Sequence, residues 1–239
     1  MYNQCDRHVA MIVTNLNLLP KRTQNMAHDL LVPDIPAVYL ERVRKMLGQS
    51  RRTILGLVGC PGSGKSFVAK RLHEAFPDVS QIVPMDGYHL ANAELKRLGR
   101  AGRKGAPDTF DSAGYASLLT RLRSQPADEI VYAPEFHREI EEGVAGSVPI
   151  FPDSSLIITE GNYLLLDDGH WGKVANLLDE VWYVDVDDVL RIQRLTRRHE
   201  QFGRTLEAAI AWVENTDEPN ARLIATHKSR AQIMFRWES

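Results

Sequence analysis

The sequence predicts an α/β fold, a mostly parallel sheet with helices on both faces, and three observations carry that expectation. Short apolar runs alternate with amphipathic helical patterns along most of the chain. The first run, Thr53-Ile54-Leu55-Gly56-Leu57-Val58, leads straight into a glycine-rich loop and then a helix. Two later runs deliver an acid at their ends, Asp86 and Glu160. Ligands of open α/β sheets bind outside the carboxyl ends of the strands, so these three places are read first.

The loop Gly59-Cys60-Pro61-Gly62-Ser63-Gly64-Lys65-Ser66 fits G-x-x-x-x-G-K-[ST]. Its glycines let successive backbone N–H groups turn toward phosphate oxygens, and the following helix adds the positive end of its dipole. The strand–loop–helix setting therefore predicts the P-loop NTPase fold and a nucleoside triphosphate site running from Gly59 through Phe67. Lys65 is expected to reach the β/γ-phosphates and Ser66 to ligand Mg²⁺. Cys60 lies beside a helix N-terminus, a setting that favours the thiolate, so alkylation is expected to inactivate the protein and bound ATP to protect it.

The other elements follow in order. Residues 1–25 read as a weakly ordered extension, and residues 26–239 as a single domain. Leu40, Val43, Met46 and Leu47 recur on one helical face. A helix over 66–75 offers Phe67, Leu72 and Ala75 for burial and stops at Pro77. Residues 81–85 form a strand whose Pro84 demands an edge position or an end. A basic, glycine-rich loop over 99–111 precedes a helix over 112–124, and residues 132–152 read as an irregular substrate-side insertion. Strands follow at 156–159 and 181–186, then a helix over about 188–201 that stops at Gly203. Leu206, Ala209, Ile210 and Val213 mark a last amphipathic helix capped by Thr205.

Composition narrows the function classes. Twenty-nine basic and thirty-one acidic residues give a formal charge of −2, so no net field draws the chain to nucleic acid or a membrane, and a small molecule is the default partner. The apolar stretch Val9–Val13 is too short and too interrupted for a span or a signal peptide. Only Cys5 and Cys60 are present, without metal-ligand spacing, which suits the reducing cytoplasm; homo-oligomerisation is left open.

Phosphoryl transfer needs one carboxylate to take the proton of the attacking hydroxyl and another for the metal shell. Asp86 suits the first role and Glu160 the second, although either acid could instead cap a turn. Arg191, Arg194 and Arg198 share a helical face with Arg197 beside it, a stripe that would close as a lid over about 187–204 or form a solvated basic face.

Three segments resemble successive motifs of the uridine kinase, pantothenate kinase and phosphoribulokinase superfamily: Met85-Asp86-Gly87-Tyr88-His89, Arg103-Lys104-Gly105-Ala106-Pro107-Asp108, and Thr159-Glu160-Gly161-Asn162-Tyr163. The resemblance covers about 50–225 and implies that Asp86 is the base. It also turns Tyr88 and His89 toward the acceptor, against ordinary packing at a strand end. Arg100, Arg103 and Lys104 would clamp an anionic group or form a solvated face, and His137 and Arg138 lie where relatives carry substrate contacts. Family lids resemble R-x-x-R-D-x-x-x-R-G-R; here Arg198 stands for the acid and Phe202 for an arginine, so Arg194 and Arg197 carry over best as catalytic cations. Residues 217–221, Asp-Glu-Pro-Asn-Ala, fall where relatives approach the nucleotide base.

The expected function is an ATP- and Mg²⁺-dependent kinase acting on a hydroxyl of a small metabolite: a nucleoside, a pantothenate-like acid, a sugar or a sugar phosphate. The alternative is a nucleotide-binding regulatory module with slow ATP hydrolysis and no small acceptor. Such a module has no need of Asp86 beside Tyr88, His89 and the basic loop.

Overall fold

The computed structural model describes residues 34–48 and 52–237; the expected extension over 1–25 and the stretch Val9–Val13 lie outside the described residues. Strand β1 (Thr53–Val58) is buried along its whole length, as an apolar run flanked by strands on both sides must be. It pairs in parallel with β5 (Leu156–Gly161) and β6 (Glu180–Val184). Strand β2 (Ser80–Pro84) and β7 (Ile233–Phe235) close the edges, giving the order β2-β5-β1-β6-β7. Pro84 thus sits where its missing N–H costs least, at the last residue of an edge strand.

Helices cover both faces. On one, Val43 and Met46 of α1 (Ala37–Leu47) and Val68, Ala69 and Leu72 of α2 (Lys65–Ala75) pack on Leu55, Leu57, Ile158 and Trp182. On the other, Tyr115, Leu118, Leu119 and Leu122 of α4 (Ser112–Arg123), which follows the short α3 (Asn92–Arg97), meet Ile54, Ile157 and Val181. The buried face of α2 differs from the expected one. Its 68, 69 and 72 positions turn inward, which leaves Phe67 and Ala75 exposed and rests Phe67 on Trp237, 5.6 Å between ring centres.

The stretch expected to be irregular is a β-hairpin, β3 (Val131–His137) against β4 (Glu142–Ile150). Pro134 hides it from sequence reading, since it interrupts the buried-exposed-buried alternation of Val131, Tyr132 and Ala133 and coincides with a register shift. The hairpin lies directly on the turn after β2. A Cβ on Gly87 would run into the Pro134 carbonyl oxygen, and one on Gly143 into that of Gly87.

Helix α5 (Asp188–Gln201) begins at Asp187, whose carboxylate accepts from the N–H groups of Val189 and Leu190, and it ends before Gly203 at φ +94°. Thr205 caps α6 (Leu206–Trp212) as expected, through Ala208 N–H. Of its predicted stripe only Ala209 and Val213 are buried, whereas Leu206 and Ile210 face solvent. The helix widens into a π-turn over Val213–Asp217 before α7 (Glu218–Thr226), at the point where Pro219 can offer no N–H to the helical ladder. No helix among the described residues is long and apolar enough to cross a membrane.

Candidate active site

The loop after β1 is shaped by two left-handed glycines, Gly62 at φ +80° and Gly64 at φ +90°. Gly64 is the N-cap of α2 and no side chain caps it, which leaves the first N–H groups of that helix for an anionic ligand. Lys65 is buried in the loop, its Nζ 3.4 Å from the Cys60 carbonyl oxygen. Burial lowers its ammonium from the ordinary lysine value, against the opposing pull of Glu160 and Asp86. Ser66 Oγ donates to Glu160 Oε1 at 2.8 Å. Burial and then the Asp86 charge raise the Glu160 carboxyl above its usual value, opposed by Lys65 and by that hydrogen bond. A hydroxyl and a buried carboxylate side by side form the hard oxygen set that Mg²⁺ takes, and a divalent cation would relieve the burial of that carboxylate.

Two side chains of this stretch, Cys60 and Phe67, point elsewhere. Cys60 is buried with Sγ 3.2 Å from the Tyr183 hydroxyl and 3.5 Å from the Ala221 carbonyl oxygen, so the expected reactive thiol faces the core. Phe67 contributes backbone alone to this neighbourhood, since its ring lies on Trp237. Arg191 braces the loop from behind. Its guanidinium donates to the Pro61 carbonyl oxygen at 3.4 Å, to Glu218 at 2.5 Å and to Asp188 at 3.0 Å. A Cβ on Gly62 would meet the Arg191 carbonyl oxygen at 2.7 Å, so α5 rests directly on the phosphate loop.

Beside the loop opens a cavity of about 560 Å³. Asp86, in a 3₁₀ turn after β2, borders it together with Lys65, Ser66 and Glu160. His89 lies further along the same wall, with Nδ1 2.8 Å from the Asp86 carbonyl oxygen and its ring 3.9 and 4.5 Å from the centres of Phe110 and Phe136. Burial lowers the imidazole below its usual value, so at neutral pH it faces the cavity uncharged. Lys104 reaches the wall from the basic loop and donates to Asn92 Oδ1 at 2.6 Å and to the Glu141 carbonyl oxygen. Arg138, at the hairpin turn, lies 3.7 Å from the Asp86 carboxylate.

The other predicted contacts fall away from the cavity. The Tyr88 ring packs edge-on against Tyr115, 5.4 Å between centres, which answers the alternatives for that residue in favour of packing. Both terminal guanidinium nitrogens of Arg103, Nη1 and Nη2, are held by Asp108 at 2.5 Å, and Arg100 leans on the same acid. His137 faces outward beside Glu135, and Arg197 is exposed. Arg194 stays near the loop, with Nη1 3.7 Å from where a Gly64 Cβ would lie. Arg198, the position where the chain departs from the lid pattern, is the α5 cation that enters the cavity. Arg204, which matches the last arginine of the lid pattern, lines the cavity stacked 4.0 Å over Trp212; sequence reasoning missed Glu141, whose φ of +53° marks the hairpin turn. Asp217 and Asn220 do line the cavity, Asp217 being hydrogen-bonded to His199 at 2.8 Å.

The profile of the Phosphoribulokinase / Uridine kinase family matches residues 54–238. A protein of Schizosaccharomyces pombe, provisionally named a uridine kinase, is 32% identical over 223 residues, covering 88% of this chain and 94% of the relative. Among solved structures, one from Silicibacter sp. TM1040, provisionally described as a fructose transport system kinase, has a TM-score of 0.72 at 34% identity, over 79% of this chain and 92% of that one. YFH7 of Saccharomyces cerevisiae, a circularly permuted P-loop protein, shares the fold at a TM-score of 0.67 and 20% identity, over 79% and 93% of the two chains.

Proposed function

The chain belongs to the Phosphoribulokinase / Uridine kinase family, and from that premise we propose how its cavity works as the site of an ATP-dependent kinase acting on a small-molecule hydroxyl. The observation that carries the reading is one edge of one sheet: Lys65, the Ser66–Glu160 pair and Asp86 border a single cavity. When bound, ATP supplies an electrophilic γ-phosphorus and Mg²⁺ offsets negative charge on the phosphates. The loop N–H groups and Lys65 hold the triphosphate, while Ser66 and Glu160 hold the metal. Asp86 takes the proton of the acceptor hydroxyl as its oxygen bonds to the γ-phosphorus and the bond to the ADP oxygen breaks. Arg194 offsets charge on the moving phosphoryl group from α5, which with its flanks forms the lid over about 187–204. His89, Phe110 and Phe136 make the acceptor wall, its neutral ring and two apolar faces excluding water. The described residues, 34–48 and 52–237, form one domain in this reading.

Release of ADP from ATP and Mg²⁺ across a panel of nucleosides, sugars, hydroxy acids and their phosphate esters, against a blank without acceptor, tests the proposal. Acceptor-dependent release is the expected result. A rate no higher than the blank for every acceptor, with ATP still bound, would favour the regulatory module instead.

A further inference from the structure

The cavity holds more cations than its own acids engage. Lys65, Lys104, Arg138, Arg198 and Arg204 line it, against Asp86, Glu141, Glu160 and Asp217. Several are already committed: Lys65 and Glu160 belong to the phosphate side, Arg204 stacks on Trp212, and Asp217 is held by His199. Three cations remain on the acceptor side. Lys104 is held by two neutral oxygens, and Arg138 has a wide contact with Asp86 at 3.7 Å; both cations also lie over the Phe136 ring, at 5.3 and 5.9 Å from its centre. The Arg198 side chain makes no hydrogen bond or ion pair among the described residues. It is pushed below the ordinary arginine value by burial first and then by the neighbouring Arg138 guanidinium, against the pull of Asp217, Asp86 and Glu141, none of which bonds to it. Two guanidinium groups from unconnected elements, α5 and the hairpin turn, thus line one cavity, and Asp86, the carboxylate that attracts both, makes only the wide 3.7 Å contact with Arg138. Half-buried like charges repel unless an anion joins them, and a planar guanidinium suits carboxylate or phosphate.

Resting on the kinase reading, we infer that the acceptor is itself an anion, a hydroxyl-bearing carboxylic acid or phosphate ester whose charged group is held by Arg138 and Arg198 with Lys104 alongside. Asp86 adjoins Arg138, so an anion seated on Arg138 would place a hydroxyl of the same small molecule at the base. A neutral sugar or nucleoside would leave Arg198 half-buried beside Arg138 with no anion bonded to it.

The nucleotide's own phosphates are the other source of an anion near Arg198, and a binding experiment separates the two. Equilibrium dialysis of radiolabelled sulfate is run on the full chain saturated with Mg²⁺ and a non-hydrolysable ATP analogue, which occupies the phosphate loop. One sulfate is expected to remain bound, and Arg138→Gln and Arg198→Gln are each expected to weaken it about tenfold or more, with Arg138→Lys weakening it less. Retained analogue binding shows that these variants are folded. Loss of the sulfate site once the analogue is bound would assign the cations to the nucleotide and overturn the inference. Unchanged sulfate affinity in both Gln variants would overturn it as well. In turnover, the anionic member of each matched pair, such as a sugar acid against its parent sugar, is expected to have the higher kcat/KM. Preference for the neutral member would sink the anionic acceptor and leave the kinase standing, whereas no acceptor-dependent turnover beside an intact sulfate site would count against the kinase alone.

Discussion

The two ends of the cavity are built by opposite means. At the phosphate end the working groups come from consecutive residues, 59–66, with Glu160 of β5 the one addition from elsewhere, and the backbone supplies most of them; the Cys60 side chain turns inward to the core. At the acceptor end every working group is a side chain, and they arrive from separate elements: Asp86 and His89 after β2, Lys104 from a loop, Arg138 from the hairpin and Arg198 from α5. A phosphate is the same on every triphosphate, so one local backbone shape suffices for it. An acceptor must be told from other metabolites, which requires side chains whose placement depends on how distant elements pack.

The largest expected effect tests whether the acceptor end performs chemistry. Asp86→Asn keeps the shape of the turn and removes the proton acceptor, so acceptor-dependent kcat should fall by about 10²–10⁴-fold. ATP affinity, measured by calorimetry with and without Mg²⁺, should change far less. An Asn variant that transfers phosphate at the parent rate would reduce the acceptor end to a binding surface. The next effect belongs to the other end. Lys65→Ala removes a charged donor at the phosphates, worth about 1.5–3 kcal/mol, and should weaken ATP binding by about 10–10²-fold while the folded far-UV spectrum is retained. Equal ATP affinity in parent and variant would mean that the loop amides alone carry the phosphates.

A third prediction concerns the joint between the loop and α5. Arg191 is buried and bonded to Glu218, Asp188 and the Pro61 carbonyl oxygen. Arg191→Met leaves Glu218 with its partner removed, a change that costs about 3 kcal/mol in partly buried pairs, and urea unfolding should show a loss of that order. A loss below about 0.5 kcal/mol would place Arg191 among surface pairs that contribute little. If the loop depends on this brace, ATP affinity should also drop in the variant.

The same contrast decides what the sequence discloses. Order of strands and helices, the loop and the delivery of Asp86 and Glu160 to one edge were legible because each rests on local spacing: a period, a glycine pattern, an acid at the end of an apolar run. Arg198 and Arg197 show where that stops. Both lie on α5, and a motif comparison favours Arg197, yet the face that meets the cavity is set by how Arg191 and Leu195 seat the helix on the phosphate loop. Arg191, Arg194 and Arg198 did share a face in sequence at the 3, 4 spacing, so the stripe itself held the better signal. Tyr88 and Arg103 carried motif identity without site geometry, because Tyr115 and Asp108 engage them first. The hairpin was hidden by Pro134 and by pairing between strands whose partners cannot be read from either one alone.

The smallest effect sharpens the view of the loop as backbone outward, side chains inward. Cys60 shares a helix N-terminus with the phosphate site, a position that makes thiols reactive when they are accessible. Here the sulfur lies 3.2 Å from the Tyr183 hydroxyl and is shut off from solvent, so reagent must wait for the fold to open. Iodoacetamide should therefore label Cys60 slowly in the native protein and readily in urea, with peptide mass spectrometry separating it from Cys5. Saturating ATP should slow native labelling only as far as it stabilises the fold as a whole. Cys60→Ala, which removes one buried sulfur and leaves the loop backbone in place, should cost about 1 kcal/mol of stability and leave the KM for ATP within about twofold. Rapid native labelling that ATP abolishes would mean that the sulfur faces the phosphates, and the division between backbone and side chains drawn for this end of the cavity would fail.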